Sequence, residues 1–317
     1  MAVRFGAIVV SPVMTDDAVP QELYEQIAEA TEALPPPPWS IAGEGLWSRV
    51  HDLGDGTVLK IVRRHGGLGS GAAKLAREAA ALERLGGLTT PNIRVPRLIA
   101  YGFFENSYFG SGPALAGWLR SERLEGRTLE EAGLWGLAAS ERQRRGEDIG
   151  AAIAEFHKTA TAQAGVPTTF GDGLVQCIDE ALGRISALAQ RERLARLKDI
   201  WLAQGAPPVF LHGDINLQNI LYQRNGQIGF VDFAGAAMGP AEADFRNLDG
   251  TGTIRDALYR GYAAVAGAMP DLNRCRMATA VNAAVTLAIH GDAGHPREAF
   301  RRRAFLDEML RQAGVEA

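Results

Sequence analysis

Asp214, Asn219 and Asp232 are the residues whose types and spacing could do chemistry. In Leu211-His212-Gly213-Asp214-Ile215-Asn216-Leu217-Gln218-Asn219-Ile220-Leu221, an Asp is followed five residues later by an Asn, with apolar residues on both sides. The apolar run Ile228-Gly229-Phe230-Val231 then delivers Asp232, with Phe233 behind it. Phosphoryl transfer from a nucleoside triphosphate to a hydroxyl needs this set. One carboxylate orients the acceptor and takes its proton, while an amide oxygen and a second carboxylate hold the magnesium ions that neutralise the phosphates. A second triplet, His290-Gly291-Asp292, has Arg297 at the offset where the first has Asn219, and no Asp-Phe strand follows it. It is read as coincidence at a helix end.

The elements that must position these residues come from a chain of 317 residues, 46% hydrophobic and 22% charged, values ordinary for a globular protein. A net charge of −4 gives no basic surplus for a nucleic-acid partner. Two cysteines, Cys177 and Cys275, make neither a disulfide framework nor a metal site. No apolar run approaches the ~20 residues of a membrane span. Phe5-Gly6-Ala7-Ile8-Val9-Val10 is short, follows only Arg4 and precedes Asp16 and Asp17, so a small strand or a partly ordered extension is expected there rather than a signal peptide. A cytoplasmic location, where ATP is available, is the expectation.

Pro20 to Leu34 predicts a helix, with Leu23, Ile27, Ala30 and Leu34 on one face, and Pro35 to Pro38 end it. Strands are expected from Trp39 to Arg64. Asp55-Gly56 between two apolar runs predicts a hairpin with a type I′ turn. Gly43 and Gly45 would let a loop approach a ligand with no Cβ in the way, and Val58, Lys60 and Val62 would share one strand face. Gly66 to Gly71 reads as a link, Ala72 to Leu85 as a helix, and 95–101 and 114–119 as strands. Helices are expected over 128–139, 141–160, 174–205 with a break, 241–267, 271–290 and 296–313, interrupted by strands at 219–222 and 228–232.

The 212–219 and 232 motifs, Lys60 and the segment Glu122-Arg123-Leu124-Glu125-Gly126-Arg127-Thr128-Leu129 together resemble the aminoglycoside phosphotransferase family, of the protein-kinase-like fold. The Asp214-to-Asn219 spacing equals that of the protein-kinase loop H-R-D-L-x-x-x-N, with Gly213 in place of Arg. The resemblance implies an α+β bilobal fold: a small antiparallel-sheet N-lobe with one helix, and a larger, mainly helical C-lobe. The expected domains are an N-terminal extension over 1–38, a nucleotide-binding N-lobe over 39–123 and a catalytic, acceptor-binding C-lobe over 124–317.

It also implies roles. Asp214 is the candidate base, and His212 stands with it in the catalytic group, expected to brace the loop through hydrogen bonds. Asn219 and Asp232 are candidate magnesium ligands. Gly43 and Gly45 would cover the phosphates of ATP or GTP, and Lys60 would contact them with Glu78 as its partner and Glu83 as the rival; Glu122 and Leu124 mark the hinge at the base edge. His157 is expected to be structural, and Asp244 to brace the catalytic loop. The chain departs from the family pattern where Ala234 follows Asp232-Phe233, where Ser48 replaces a third glycine, and where no acid follows Gly239.

The expected partners are a nucleoside triphosphate and a small-molecule hydroxyl acceptor, with no nucleic acid or membrane, in a monomer or dimer. An aminoglycoside or other antibiotic leads as acceptor. A sugar, macrolide or amino alcohol follows closely. Asp179, Glu180, Glu242, Asp244 and Asp249 are the acids that could meet a polycation, although scattered acids usually form a solvated face. Ala243 lies only eleven positions beyond Asp232, which leaves little room for the peptide-docking loop of a protein kinase. A nucleotide-binding pseudoenzyme would not need base and metal ligands together.

Overall fold

The computed structural model describes residues 21–31, 33–64, 70–104, 114–164, 171–248, 254–290 and 296–315. It divides into two compact units, one of residues 1–76 and 98–123, the other of 77–97 and 124–317.

The first unit is built on an antiparallel five-stranded sheet. Its strands are β1 (Ser40–Glu44), β2 (Ser48–Asp52), β3 (Thr57–Arg63), β5 (Leu98–Phe103) and β6 (Leu115–Glu122), in the order β1-β2-β3-β6-β5. Helix α1 (Gln21–Ala30) sets Leu23 and Ile27 into a core with Trp39, Leu59, Ile61 and Trp118. The expected extension helix therefore belongs to the packing of this unit. Leu34 joins the same core, whereas Ala30 is exposed. The β2–β3 hairpin forms, but with a different turn. Positive φ falls on Gly54 (77°) and Gly56 (83°), not on Asp55. The Asp55 carboxylate instead accepts from the Thr57 N–H at 3.0 Å and pairs with Arg120 at 2.7 Å, ties that suit a longer loop. Helix α2 (Gly71–Leu85) runs across the division at Ala76–Arg77.

The second unit carries the remaining helices: α3 (Ala139–Ala164), α4 (Gly173–Leu182), α5 (Leu188–Ala203), α6 (Arg255–Ala266), α7 (Leu272–His290) and α8 (Pro296–Gln312). Helices α3 and α6 cross at Gly150 and Gly261, where a Cβ would overlap the carbonyls of Leu258 and Glu147. A core of Leu174, Leu194, Trp201, Val281, Leu306 and Leu310 ties α4, α5, α7 and α8 together. Two small sheets supply the short strands. One orders β4 (Ile93–Arg94), β10 (Ile228–Phe230), β9 (Ile220–Tyr222) and β7 (Arg127–Thr128); the other pairs β11 (Ala237–Gly239) with β8 (Val209–Leu211).

Two expected helices are shorter than the apolar pattern suggested. Over 128–139 there is a turn and a 3-10 segment at Leu134–Gly136. Thr128 and Glu131 do bond reciprocally, as at a helix start, but Gly133 then takes φ 62° and stops propagation. Over 241–267 the helix is α6 alone, preceded by a 3-10 turn at Ala241–Phe245 in which the Asp244 side chain is turned inward. Helix α7 ends at His290, and Gly291 and Asp292 lie outside the described residues. Among the described residues no helix is long and apolar enough to cross a membrane.

Candidate active site

Strand β8 runs directly into His212, β9 begins directly after Asn219, and β10 ends two residues before Asp232. Backbone pairing therefore fixes both ends of the loop that carries the candidate residues. Inside the loop, Asn216 closes a local turn: its Oδ1 accepts from the N–H groups of Gln218 at 2.9 Å and Asn219 at 3.1 Å. The Asp214 carbonyl accepts from the side-chain amides of Asn216 at 3.2 Å and Asn219 at 2.9 Å.

Gly213 adopts φ 79°, and a Cβ there would overlap the Gly235 carbonyl oxygen. Arginine, the residue of the protein-kinase signature, cannot occupy this backbone without displacing the segment after Asp232. His212 is fully buried against Phe156, Phe230 and Phe233. Its Nε2 meets the Val231 carbonyl at 2.9 Å and its Nδ1 accepts from the Asp214 N–H at 3.3 Å. A carbonyl only accepts, so Nε2 carries the proton and the ring is neutral. Both nitrogens are engaged by main chain. This fits the brace expected of His212 and leaves it no nitrogen for proton transfer.

Asp244, fully buried, is the hub beneath the loop. It accepts from the N–H of His212 at 2.9 Å, from the N–H of Gly213 at 2.7 Å and from His157 Nε2 at 3.0 Å. Burial pushes its carboxyl up, but its hydrogen-bond donors, first the His157 ring N–H and then the Gly213 N–H, outweigh burial and hold it below its ordinary value. His157 Nδ1 lies 3.2 Å from the Tyr262 hydroxyl, which burial and then the charges of Glu242 and Asp244 keep firmly protonated. Tyr262 therefore donates to His157, which donates to Asp244.

The two oxygens of Asp214 have separate partners. Oδ2 accepts from Asn219 Nδ2 at 3.2 Å, and Oδ1 from Asn247 Nδ2 at 2.8 Å. Arg246 donates to the Gly213 carbonyl and reaches Cys177 Sγ at 3.4 Å. Burial opposes the charge of Arg246, but Cys177, Asp214 and Asp244 outweigh it and hold the guanidinium protonated. Neither Arg246 nor Asn247 was singled out from the sequence. Their signal was adjacency to Asp244 in Asp244-Phe245-Arg246-Asn247.

Asp232 sits at φ 66°, ψ 73°, a left-handed backbone that a non-glycine residue adopts at a cost of ~1–3 kcal/mol. Because Asn219 turns its NH2 toward Asp214, its oxygen faces away from that carboxylate. Asn219 and Asp232 are adjacent strand-end residues, linked through the Val231 N–H donating to the Asn219 carbonyl at 3.1 Å. Their side chains supply hard oxygen donors, the type that suits magnesium. Among the described residues no group of three or more His, Cys, Asp and Glu side chains makes a self-sufficient metal cage. A cation here would need further oxygens from water and phosphate.

In the first unit, Gly43 lies at an irregular pair of β1 and Gly45 follows the strand. A Cβ on either would meet nothing within 4 Å, so the fold itself does not require these glycines. Arg63 of β3 pins the loop, donating to the carbonyls of Gly45 at 2.7 Å and Leu46 at 3.2 Å and to Glu44 at 2.5 Å. Arg49 meets the same carboxylate at 3.1 Å, and Lys74 lies 3.5 Å over the Trp47 ring. Lys60 is buried mid-strand, opposite Val50 and Leu119. Of the two acids weighed on α2, Glu78 is buried and Glu83 exposed. Glu122 ends β6 opposite Thr57, and Leu124 is buried beyond it in the second unit.

The sequence matches the phosphotransferase enzyme family (APH) over residues 44–278. No curated protein matches it. Solved structures share its fold. The GDP and kanamycin complex of APH(2")-IIia is 17% identical, with a TM-score of 0.64 over 91% of this chain and 98% of that one. A choline/ethanolamine kinase family protein from Mesorhizobium loti is 15% identical, with a TM-score of 0.58 over 89% and 93%. A thermostable mutant of aminoglycoside phosphotransferase APH(4)-Ia, in ternary complex with ADP and hygromycin B, is 16% identical, with a TM-score of 0.55 over 88% and 95%. With the matched span covering most of the chain, this protein belongs to the phosphotransferase enzyme family and has its protein-kinase-like fold.

Proposed function

We propose that this protein is a small-molecule O-phosphotransferase that moves the γ-phosphate of ATP or GTP to an acceptor hydroxyl. One observation carries the reading: the Asp214 carboxylate is held by an amide on each oxygen, in a loop clamped from below by buried Asp244. A carboxylate fixed in this way can align a hydroxyl and take its proton late in transfer, while most of the rate comes from positioning and charge stabilisation.

Asn219 and Asp232 would hold magnesium, which supplies charge neutralisation of the phosphates when bound. Lys60 would contact the α- and β-phosphates with Glu78 as its partner. Gly43 and Gly45, which no packing within the protein demands, would leave room for phosphate. The Glu122–Leu124 backbone would meet the base. His212 acts as a positioning residue. Nucleotide use is supported by relatives of the same fold solved with GDP and with ADP. A cytoplasmic setting would supply the nucleotide.

Two of those relatives carry kanamycin and hygromycin B, which keeps an aminoglycoside among the acceptors. A specific observation favours a less cationic acceptor: a sugar, macrolide or amino alcohol. Three of the five acids nominated to meet a polycation have other duties. Asp244 is buried under the loop, Asp179 pairs with Lys198 at 2.6 Å, and Glu242 accepts from the Asp271 N–H at 3.1 Å. Asp249 lies outside the described residues.

The test is mass spectrometry for added phosphate on a panel of aminoglycosides, macrolides, sugars and amino alcohols, with magnesium and ATP or GTP, beside the Asp214→Asn variant. A phosphorylated product that disappears in the variant is expected. Nucleotide binding with no product from any acceptor would count against the reading and favour a non-catalytic nucleotide binder.

A further inference from the structure

The geometry points to Asn247 as a positioning residue that holds the reacting carboxylate in one rotamer. This rests on the reading of Asp214 as the base. Asn247 lies 33 positions beyond Asp214, outside the catalytic motif, yet its Nδ2 is 2.8 Å from Asp214 Oδ1. Its neighbours in the chain grip the same loop in order. Asp244 takes the N–H groups of His212 and Gly213, Arg246 takes the Gly213 carbonyl, and Asn247 takes the Asp214 side chain. One tetrapeptide thus reads three consecutive loop residues.

An ionised carboxylate only accepts, so Asn247 must present its NH2. Asp214 has an amide donor on each oxygen. Both oxygens being tied restrains rotation of the carboxylate, so its remaining lone pairs point in a defined direction toward an acceptor hydroxyl. Asn219 cannot do this alone. It holds only Oδ2, and its own oxygen is the one proposed to meet magnesium. A purely packing role for Asn247 would be indifferent to replacing the amide by a carboxylate of the same shape; the positioning role is not.

The experiment compares the full-length wild type with Asn247→Ala and Asn247→Asp, each checked for folding by its thermal melt. Turnover is followed with Mg-ATP and Mg-GTP, water serving as acceptor if no other is known. The kcat should fall about tenfold in Asn247→Ala and more in Asn247→Asp, where a like charge replaces the donor, with nucleotide KM within about twofold in both. Wild-type kcat in Asn247→Asp, or a fall in kcat matched by an equal rise in nucleotide KM, would overturn the inference while leaving the base assignment intact. Undiminished turnover in Asp214→Asn would overturn the base assignment, and the positioning role with it.

Discussion

Two loops of this molecule are held in opposite ways. The loop at 212–219 is clamped from inside by Asp244, whose side chain is 0% exposed and whose partners are main-chain N–H groups and a buried histidine. The loop after β1 is clamped by Arg63 and Arg49 acting through Glu44, whose side chain is 32% exposed. Buried charge must be desolvated, so it holds only with full hydrogen bonding, and removing one partner is costly. Arg49 and Arg63 are themselves 5% and 7% exposed, but their shared carboxylate reaches water, which can hydrate it when a tie is broken and which lets salt screen the pair. The lesson is a division of stiffness. The carboxylate proposed to do chemistry stands on a fully buried support, whereas the glycine-bearing loop proposed to follow the phosphates is held through a carboxylate that water reaches and can partly satisfy.

The largest expected effect breaks the first clamp. Asp244→Ala should lose ~3–5 kcal/mol of stability by chemical denaturation, since two loop N–H groups and His157 are left without their acceptor. Turnover should collapse with it. A loss below ~1 kcal/mol would mean that the two clamps do not differ in kind.

Next comes the second clamp. Arg63→Met removes the bonds to the Gly45 and Leu46 carbonyls and half of the Glu44 pairing, and should cost ~1–2 kcal/mol. Its kinetic signature should be a nucleotide KM raised several-fold with kcat little changed. An equal fall in kcat and kcat/KM would place the loop in the transition state rather than in ground-state binding.

The smallest effect separates the two units by pH. Burial and then the charge of Arg49 lower His51 from 6.5 to about 4, against the pull of Glu44. The unfolded chain therefore takes up its proton first, and stability contributed by the first unit falls as pH drops from 6.5 toward 4, then levels off. Asp244 behaves differently. Its carboxyl is held below 3.8, so its contribution is complete above that value and is lost only as pH falls beneath it. In thermal melts, His51→Gln should flatten the slope between pH 6.5 and 4 by on the order of 1 kcal/mol and leave the more acidic loss in place. An unchanged slope would remove His51 from the account.

What could be read from the sequence follows the range of the interactions. Asp214, Asn219 and Asp232 were legible because one loop and one strand end place them, and their spacing is local. The sheet-rich and helical parts were legible from apolar periodicity for the same reason. Asn247 and the Arg63–Glu44 contact were not, because partners 33 and 19 positions apart meet only through tertiary packing. The left-handed backbone of Asp232 leaves no trace in an apolar run that reads as plain strand. The helix expected over 241–267 failed for a related reason: Asp244 was expected to brace the loop, but the apolar pattern alone does not show that placing it inside takes a 3-10 turn in place of the first helical turns.

The central claim is that Asp214 is the base of a phosphoryl transfer, and its most direct test measures turnover and nucleotide affinity together for wild type and Asp214→Asn. The account predicts a kcat at least ~100-fold lower with the nucleotide Kd within about twofold, since the lost group aligns the acceptor hydroxyl and takes its proton and does not hold the nucleotide. Turnover within about tenfold of wild type at unchanged affinity would contradict it, and the carboxylate between Asn219 and Asn247 would then be structural.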